Sequence, residues 1–260
     1  IKKKAKNMII ISEKNNNPLY EISKKMQLHH IAHRKYIGGR YSVLSEVGII
    51  PAILMGINID KIRKNLLTHF KSNKKFLKDS TIKLTNIYQR NCYKNLILLN
   101  YIPQLEKFLF WSQQLIAESL GKKGKGFLPT ISNVPKDHHS LLQLYLDGPK
   151  DKLFYIFSEE THKKSKILNT KGIDVKLNFL RRKTLSQIKN AQKNALIKTL
   201  KKKNIPFREF KIKNLNEETL GELLSYFMME TAIIGKLAKI NPFNQPAVEE
   251  IKVDTKKFLK

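Results

Sequence analysis

The chain has 260 residues, enough for one large domain or two small ones, and 41% of them are hydrophobic, as in ordinary globular proteins. Its 50 Lys and Arg residues against 21 Asp and Glu give a formal charge of +29, but only seven are Arg and the lysines are scattered. This composition predicts a solvated basic surface without a specific nucleic-acid partner. A lone cysteine, Cys92, excludes an internal disulfide, and no apolar run is long enough to predict a membrane partner.

The first part of the chain alternates between strand and helix patterns. Lys6 to Ser12 is a short apolar run, Leu19 to Met26 has helical spacing, and Leu28 to Ala32 is a second short run. This order predicts a β-α-β unit of a parallel sheet. The segment from Tyr41 to Gly56 is apolar almost all round, which predicts a buried helix that Pro51 would kink.

The middle of the chain is predicted to be mainly helical. Asp60 to Phe76 and Asp79 to Asn100 are predicted as two amphipathic helices, and Gln104 to Leu120 as a third. After a loop rich in Gly, Lys and Pro, a short strand is expected at Gly126 to Ile131. A further helix is expected at His138 to Leu146.

The last part of the chain contains the clearest strand, Lys152 to Ser158, which is rich in aromatic residues. A helix at Leu185 to Lys203, a strand at Phe207 to Ile212, a long helix at Asn216 to Ala238 and a last helix at Val248 to Leu259 follow. The alternation predicts an α/β fold in which helices cover parallel sheets.

Three motifs carry a resemblance to a known family. Residues 38–45 read Gly-Gly-Arg-Tyr-Ser-Val-Leu-Ser; residues 113–122 read Gln-Gln-Leu-Ile-Ala-Glu-Ser-Leu-Gly-Lys, with Lys-Asp-His-His-Ser-Leu following at 136–141; residues 241–249 read Asn-Pro-Phe-Asn-Gln-Pro-Ala-Val-Glu. In this order, and over nearly the whole chain, they resemble the glucose-6-phosphate isomerase (phosphoglucose isomerase) family.

The resemblance implies sugar-isomerase (SIS, flavodoxin-like) domains. Residues 1–58 would be the C-terminal portion of a first such domain, residues 59–240 a second domain, and residues 241–260 a C-terminal helical arm. The implied activity is the reversible isomerisation of glucose 6-phosphate and fructose 6-phosphate through a cis-enediol, in the glycolysis and gluconeogenesis of the cytoplasm. No cofactor and no metal is implied.

The resemblance also implies roles for individual residues. Glu118 matches the carboxylate that moves a proton between C2 and C1, and Arg40 matches the arginine that stabilises the enediolate. Ring opening would be assisted by His139 and Lys252. Substrate binding would involve the remaining matched positions together with the arginine: Gly39, Arg40, Gln114 and Gln245.

Two histidines, His138 and His139, are adjacent and cannot point the same way from a helix start. The family's histidine stands immediately before Ser-Leu, which selects His139. The resemblance implies a homodimer whose neighbouring subunit supplies this histidine. The histidines of the chain show no spacing with a carboxylate that is typical of a metal site.

Several features depart from the family's pattern. Glu46 stands where a small residue or Pro is usual, Asn244 replaces Asp and Ala247 replaces Gly; we expect Glu46 to change the local charge near Arg40. The family's phosphate-binding loop should lie upstream of the first strand and is not in these residues, so the 260 residues alone are expected to be inactive. A non-catalytic sugar-phosphate-binding module of the same fold and a charge-driven nucleic-acid-binding protein are the alternatives.

Overall fold

A computed structural model describes residues 7–72, 74–160, 165–170, 172 and 174–259. Within these ranges the strands are β1 Ile9–Ser12, β2 His29–Ala32, β3 Asn95–Asn100, β4 Leu128–Asn133, β5 Lys152–Glu159 and β6 Phe207–Ile212. The α-helices are α1 Pro18–Lys25, α2 Glu46–Leu54, α3 Ile59–Lys64, α4 Thr68–Lys71, α5 Lys74–Arg90, α6 Glu106–Leu120, α7 Lys136–Ser140, α8 Leu142–Asp147, α9 Leu185–Lys202, α10 Glu217–Leu237 and α11 Pro246–Phe258. Short 3₁₀ helices lie at Gly39–Leu44, Pro103–Leu105 and Val175–Leu180.

The strands form two parallel sheets. β1 pairs with β2 across α1, which is the β-α-β unit that the sequence predicts. The second sheet has the order β4-β3-β5-β6, with every neighbouring pair parallel. Parallel strands need crossover connections, and the helices that supply them cover both faces of the sheet. The predicted α/β fold is therefore confirmed.

The core of the second sheet has two layers because successive strand residues point to opposite faces. Leu96 and Leu98 of β3 pack with α5, α6 and α10, whereas Ile97 and Leu99 pack with α8 and α9. β5 contributes Phe157 to the first layer, where its ring stacks on that of Phe210 with centroids 4.8 Å apart. A sheet buried on both faces gives the near-continuous apolar runs seen in β3 and β5.

The predicted helix from Asp79 to Asn100 is wrong in its last part. Asn95–Asn100 is the central strand β3, although the sequence pattern placed it at the end of a helix that starts at Asp79. The helix α5 ends at Arg90, and Asn91 has a positive φ of 54°. A four-residue apolar run fits a buried helix or a buried strand equally well, and here pairing with β4 and β5 on both sides makes it a strand.

The segment after β2 also differs from its prediction. The expected buried helix is a 3₁₀ helix followed by α2, and within α2 only Ala52 is buried. Ile53, Leu54 and Met55 are exposed by 57%, 73% and 70%. The segment is thus apolar as predicted, but no described part of the chain packs over these three side chains. The division into domains at residues 58 and 240 stays a prediction.

The predicted single helix Asp60 to Phe76 is wrong, because α3 ends at Lys64, α4 is the separate short helix Thr68–Lys71, and α5 begins at Lys74. The other predicted helices and strands lie within a few residues of their expected positions, and the predicted strand Phe207–Ile212 matches its bounds. The predicted helix at His138 to Leu146 is broken into α7 and α8. Among the helices that the structure describes, none has the length and apolar character needed to cross a membrane.

Candidate active site

Arg40 joins the first part of the chain to the end of α6. It lies in the 3₁₀ helix Gly39–Leu44 and is 3% exposed. Its Nε donates to Ser119 Oγ at 2.8 Å, and its Nη1 donates to Glu118 Oε2 at 3.1 Å. The second contact is an ion pair between a buried guanidinium and a carboxylate whose side chain is 28% exposed.

The same guanidinium holds the segment that leads into α11. Nη1 also donates to Gln245 Oε1 at 2.7 Å, while Nη2 donates to the carbonyl oxygens of Pro242 and Asn244 at 2.7 and 3.1 Å. A guanidinium has five N–H donors in a fixed fork, and these contacts with those to α6 engage all of them. Arg40 is therefore the point at which three separate segments of the chain meet.

Two glycines shape the approach to Arg40. A Cβ added to Gly39 would meet nothing within 4 Å, and neither Gly38 nor Gly39 has a positive φ, so a turn requirement does not explain the pair. Gly48 is different, because a Cβ there would lie 2.0 Å from the carbonyl oxygen of Val43. Only glycine lets α2 fold back this closely on the 3₁₀ helix that carries Arg40.

Glu118 presents a carboxylate held on both oxygens. Oε2 accepts from Arg40, and Oε1 accepts from Gln114 Nε2 at 3.0 Å. The two α6 residues are one turn apart, a spacing that places them on the same face of a helix. α6 ends at Gly121, where a Cβ would approach the carbonyl oxygen of Ala117 to 2.7 Å. Glu118 thus lies in the last turn of α6, the turn that Gly121 ends.

A cavity of about 740 Å³ opens between the end of α6 and the start of α11. Among the described residues that line it, Glu118 is the only acidic one, and three are lysines: Lys122, Lys123 and Lys239. Gln245 and Asn244 form part of the opposite wall. The cavity therefore places one carboxylate in a basic surround, which suits an anionic ligand.

Lys122 is a functional candidate to which the sequence analysis gave no role. Its Nζ donates to the carbonyl oxygens of Glu118 and Ser119, both at 3.0 Å, and so caps the C-terminus of α6. Partial burial lowers the pKa of Lys122, and the charge of Arg40 adds to this, while the charge of Glu118 opposes it. A basic residue directly after a helix-ending glycine was the available signal.

Two aromatic residues fix the Arg40 segment against α6. The Trp111 Nε1–H donates to the carbonyl oxygen of Arg40 at 3.0 Å. The Tyr41 hydroxyl lies 3.1 Å from Ser119 Oγ, and burial raises the pKa of this hydroxyl. These contacts join residues more than 70 positions apart, so sequence spacing carried no signal for them.

His139 does not line the cavity and lies on the exposed surface of α7. Glu118 precedes β4 and is at its amino end, whereas α7 follows the carboxyl end of β4. A strand of six residues, as β4 is, separates these two edges by about 20 Å. The structure therefore does not bring His139 and Glu118 of one chain together.

His138 has a different environment from its neighbour. Its Nε2 lies 2.9 Å from the hydroxyl of Tyr101, and the side chain is half-buried. Burial lowers the pKa of His138, against the opposing charge of Asp137. The two adjacent histidines thus point to different surroundings, one tied to the sheet and the other facing solvent.

Lys252 is also placed outside the cavity lining. It lies on α11, one turn beyond Val248, and its Nζ donates to Glu249 Oε1 at 2.7 Å. Both side chains are more than half exposed, and this hydrogen bond lowers the pKa of Glu249. Among the described residues no group of three His, Cys, Asp or Glu side chains could hold a metal ion.

Comparison with known proteins shows what the chain as a whole is similar to. A sequence profile of the phosphoglucose isomerase family matches residues 2–260. A probable glucose-6-phosphate isomerase of Methanococcus maripaludis is 35% identical over 251 residues, covering 92% of this chain and 55% of the relative. The glucose-6-phosphate isomerase of Methanocaldococcus jannaschii is 31% identical, covering 93% and 58%. The chain thus spans little more than half the length of these relatives.

Solved structures show the same fold. A hypothetical protein from Thermus thermophilus superimposes with a TM-score of 0.86 at 27% identity, over 99% of this chain and 64% of its own. A glucose-6-phosphate isomerase from Chlamydia trachomatis superimposes with a TM-score of 0.69 at 20% identity, over 96% and 52%.

Proposed function

The chain belongs to the phosphoglucose isomerase family, and from this premise we propose that it forms part of an enzyme that interconverts glucose 6-phosphate and fructose 6-phosphate. The observation that carries the proposal is the ion pair between Arg40 and Glu118, whose carboxylate lines a basic cavity. A carboxylate that can take a proton and a buried cation beside it are the two groups that enediolate chemistry needs.

Glu118 is the proposed base. Its carboxylate removes the proton from C2 of the open-chain aldose, which leaves a cis-enediolate with its negative charge on the carbonyl oxygen. The same carboxyl group then returns the proton to C1 while the hydroxyl proton moves from O2 to O1, so that the ketose forms and no oxidant or reductant is consumed. Gln114 and Arg40 hold one oxygen each and so fix the orientation of the carboxylate. A positioned base typically contributes roughly 10²- to 10⁴-fold to the rate.

Arg40 is the proposed stabiliser of the enediolate, with one constraint from its contacts. All five of its N–H donors are engaged by the protein, so a substrate oxygen must replace one of the present acceptors. Ser119 and Gln245 are the neutral side chains among them, and of these two only Gln245 lines the cavity. We therefore expect Gln245 to release Arg40 and turn its amide to the sugar, in keeping with its proposed substrate-binding role.

The proposed ring-opening groups support an assembly of two chains. Because His139 lies at the opposite edge of the sheet from Glu118, a complete site would take this histidine from a second copy. A homodimer is accordingly part of the proposal. Lys252 would reach the ring oxygen only with movement or packing of α11, none of whose residues is buried. The open space beside Gly39 leaves room for the substrate to approach the backbone.

The test uses an extended chain, defined as residues 1–260 preceded by the upstream region that the family resemblance implies. We expect the extended chain to convert fructose 6-phosphate in a coupled assay, and the 260 residues alone to be nearly inactive. Glu118→Gln in the extended chain should lower kcat roughly 10²- to 10⁴-fold with little change in KM, because an amide keeps the shape but cannot take a proton.

The readout specific to the base is exchange of the C2 hydrogen with D₂O, followed by NMR. Glu217→Gln on α10, which lies outside the cavity lining, is the control and should exchange at the parent rate. A Glu118→Gln variant that exchanges C2 hydrogen at the parent rate would remove Glu118 as the base. An extended chain that binds sugar phosphates without any turnover would instead identify a non-catalytic binding module.

A further inference from the structure

A second polar pair lies outside the cavity and brackets the segment that carries Arg40. His33 follows β2, and Glu46 is the first residue of α2, so the Arg40 segment lies between them in the chain. His33 Nδ1 is 2.5 Å from Glu46 Oε1, and the two side chains are 14% and 23% exposed. Neither residue is in the cavity lining. From the sequence we expected the charge of Glu46 to act on Arg40, but in the structure Glu46 contacts His33.

The other ring nitrogen of His33 contacts the opposite end of the same segment. His33 Nε2 lies 2.9 Å from the carbonyl oxygen of Ile37, the residue directly before Gly38. A carbonyl oxygen and an ionised carboxylate can only accept hydrogen bonds. Neutral imidazole has one N–H and can satisfy only one of them, whereas the imidazolium has two N–H groups and satisfies both. The geometry therefore fits the protonated ring.

The charges around the pair favour this state. Burial lowers the pKa of His33, but the hydrogen bonds with Glu46 and the Ile37 carbonyl outweigh it, with help from the charges of Glu46 and Glu13, and the pKa is raised above 6.5. The backbone N–H of Glu46 lowers the pKa of its own carboxyl group below 4.5; burial opposes this, and His33 and the Arg34 backbone add to it. The charge of Arg34 interacts with Glu46 and that of Glu13 with His33, so these are the other charged groups that face the pair.

The pH window follows from these two directions. Above its ordinary pKa of 4.5 Glu46 is ionised in the folded and unfolded chain, and its contribution is lost as the pH falls through the lowered value. Below 6.5 His33 is protonated in both states, and its contribution is lost as the pH rises through the raised value. Both contacts are complete between the two folded-state values.

We propose that His33 and Glu46 are positioning residues, and that the His33 imidazolium holds both ends of the segment from Ile37 to Glu46 so that Arg40 stays against Glu118. When the ring loses its proton, either the Ile37 carbonyl or the Glu46 carboxylate loses its donor, and the segment relaxes. The catalytic consequence rests on the proposed isomerase function, but the placement of Arg40 by the pair does not.

The chain contains a reporter of this placement that needs no activity. Trp111 is the single tryptophan in the sequence, and its indole N–H donates to the carbonyl oxygen of Arg40. A ¹⁵N-labelled chain therefore gives one indole N–H resonance, and its chemical shift follows the position of the Arg40 backbone. The ring nitrogens of ¹⁵N-labelled histidines report the protonation of His33 in the same sample.

The experiment is a pH titration of the 260-residue chain. We expect His33 to titrate with a midpoint above 6.5 and the Trp111 indole resonance to shift with the same midpoint. Glu46→Gln keeps the shape of the side chain but removes its charge, so it should lower the His33 midpoint to 6.5 or below, and the midpoint of the Trp111 shift should fall with it. His29→Gln, at an exposed position of β2, the strand that directly precedes His33, is the matched control and should leave the Trp111 titration unchanged.

Two results would overturn the proposal. The first is a His33 midpoint at or below 6.5 in the parent chain, a result that needs no variant and so does not depend on whether Glu46→Gln folds. The second is a Trp111 resonance that does not follow the His33 titration. In an extended chain with activity, the alkaline limb of kcat should move with the His33 midpoint in Glu46→Gln. An extended chain without activity would count against the isomerase but leave the Trp111 result standing.

Discussion

The two sheets differ in what holds them in place. In β3 and β5 the residues Leu96 to Asn100 and Lys152 to Ser158 are all buried, whereas in β1 and β2 only Ser12 is. We call residues 7–58 the first region and residues 59–240 the second region. The second region has its own two-layered core, while the first region leaves the apolar side of α2 exposed.

Because the two regions differ in burial, Glu118 and Arg40 are held in place by different kinds of contact. Glu118 is positioned by a helix packed on the core of the second region, so its backbone is fixed by burial. Arg40 belongs to the first region, and its guanidinium is held by polar contacts with Ser119, Glu118 and Gln245. Its backbone is held by the Trp111 indole, by apolar neighbours that pack on the core of the second region, and by the His33–Glu46 pair. Stability and catalytic geometry are therefore separable in this chain, and substitutions in the two regions should have different consequences.

The largest effect on stability is expected in the core of the second region. Phe157 has no exposed surface and stacks on Phe210, so Phe157→Ala should lower the free energy of unfolding of the 260-residue chain by about 3–5 kcal/mol. Leu54 of α2 is 73% exposed, and Leu54→Ala should change it by less than about 0.5 kcal/mol. Chemical denaturation followed by circular dichroism measures both values.

The same two variants also test whether the apolar side of α2 is exposed in solution. A cost for Leu54→Ala near that for Phe157→Ala in the 260-residue chain would mean that a second copy covers α2, and sedimentation would detect that copy. In the extended chain the cost of Leu54→Ala should rise if upstream residues complete the first region. An unchanged cost there would show that this apolar face is exposed in the longer protein as well.

Some strands of the second sheet could be predicted from the sequence and one could not. The strand β5 was predicted because its residues are rich in aromatics and lie between turn residues, and β6 was predicted because its residues alternate as in a strand. β3 was missed because Leu96 to Leu99 has no internal period that separates helix from strand. What makes it a strand is pairing with β4 and β5, which come from distant parts of the chain.

The candidate site was predicted through the family resemblance and not from the residues alone. The structure brings Arg40, Glu118, Gln114 and Gln245 into direct contact, although Arg40 and Gln245 are 205 positions apart. Their roles remain proposals. The contacts that fix them, such as the Trp111 indole to the Arg40 carbonyl, depend on tertiary packing, and a single sequence carries no periodic signal for such pairs.

The next largest effect is expected on activity, and it tests whether His139 and Glu118, at opposite edges of the second sheet, serve different steps. In an extended chain we expect His139→Ala to lower kcat on cyclic sugar phosphates by roughly 10²-fold or more, since it removes a proposed acid–base group for ring opening. A short open-chain aldose phosphate needs no ring opening and should be affected much less. Steady-state assays on both substrates give the ratio.

His138→Ala is the control for this measurement. His138 contacts Tyr101 and is half-buried, so its replacement should cost some stability but should leave the ratio of the two activities near that of the parent. Equal losses on both substrates in His139→Ala would assign His139 to the isomerisation step or to the subunit interface. A selective loss in His138→Ala would mean that the wrong member of the pair has been matched.

The smallest effect is expected for the loss of a helix N-cap, an interaction that occurs in both regions. Asn17 caps α1 by accepting from the backbone N–H of Tyr20 at 3.0 Å, and Asn216 caps α10 by accepting from that of Thr219 at the same distance. Replacing such a cap by Ala costs typically about 1 kcal/mol. α10 packs on the core of the second region, so its cap forms in the cooperative unit that determines the global unfolding midpoint.

Asn216→Ala should therefore lower the global free energy of unfolding of the 260-residue chain by about 1 kcal/mol. Asn17→Ala should change that global value less, because the first region has little core and can open before the second region unfolds. Its effect should appear instead as faster hydrogen exchange of the α1 amides, measured residue by residue by NMR. An equal global loss from both substitutions would show that the two regions unfold as one unit, and the separation of stability from catalytic geometry would then fail.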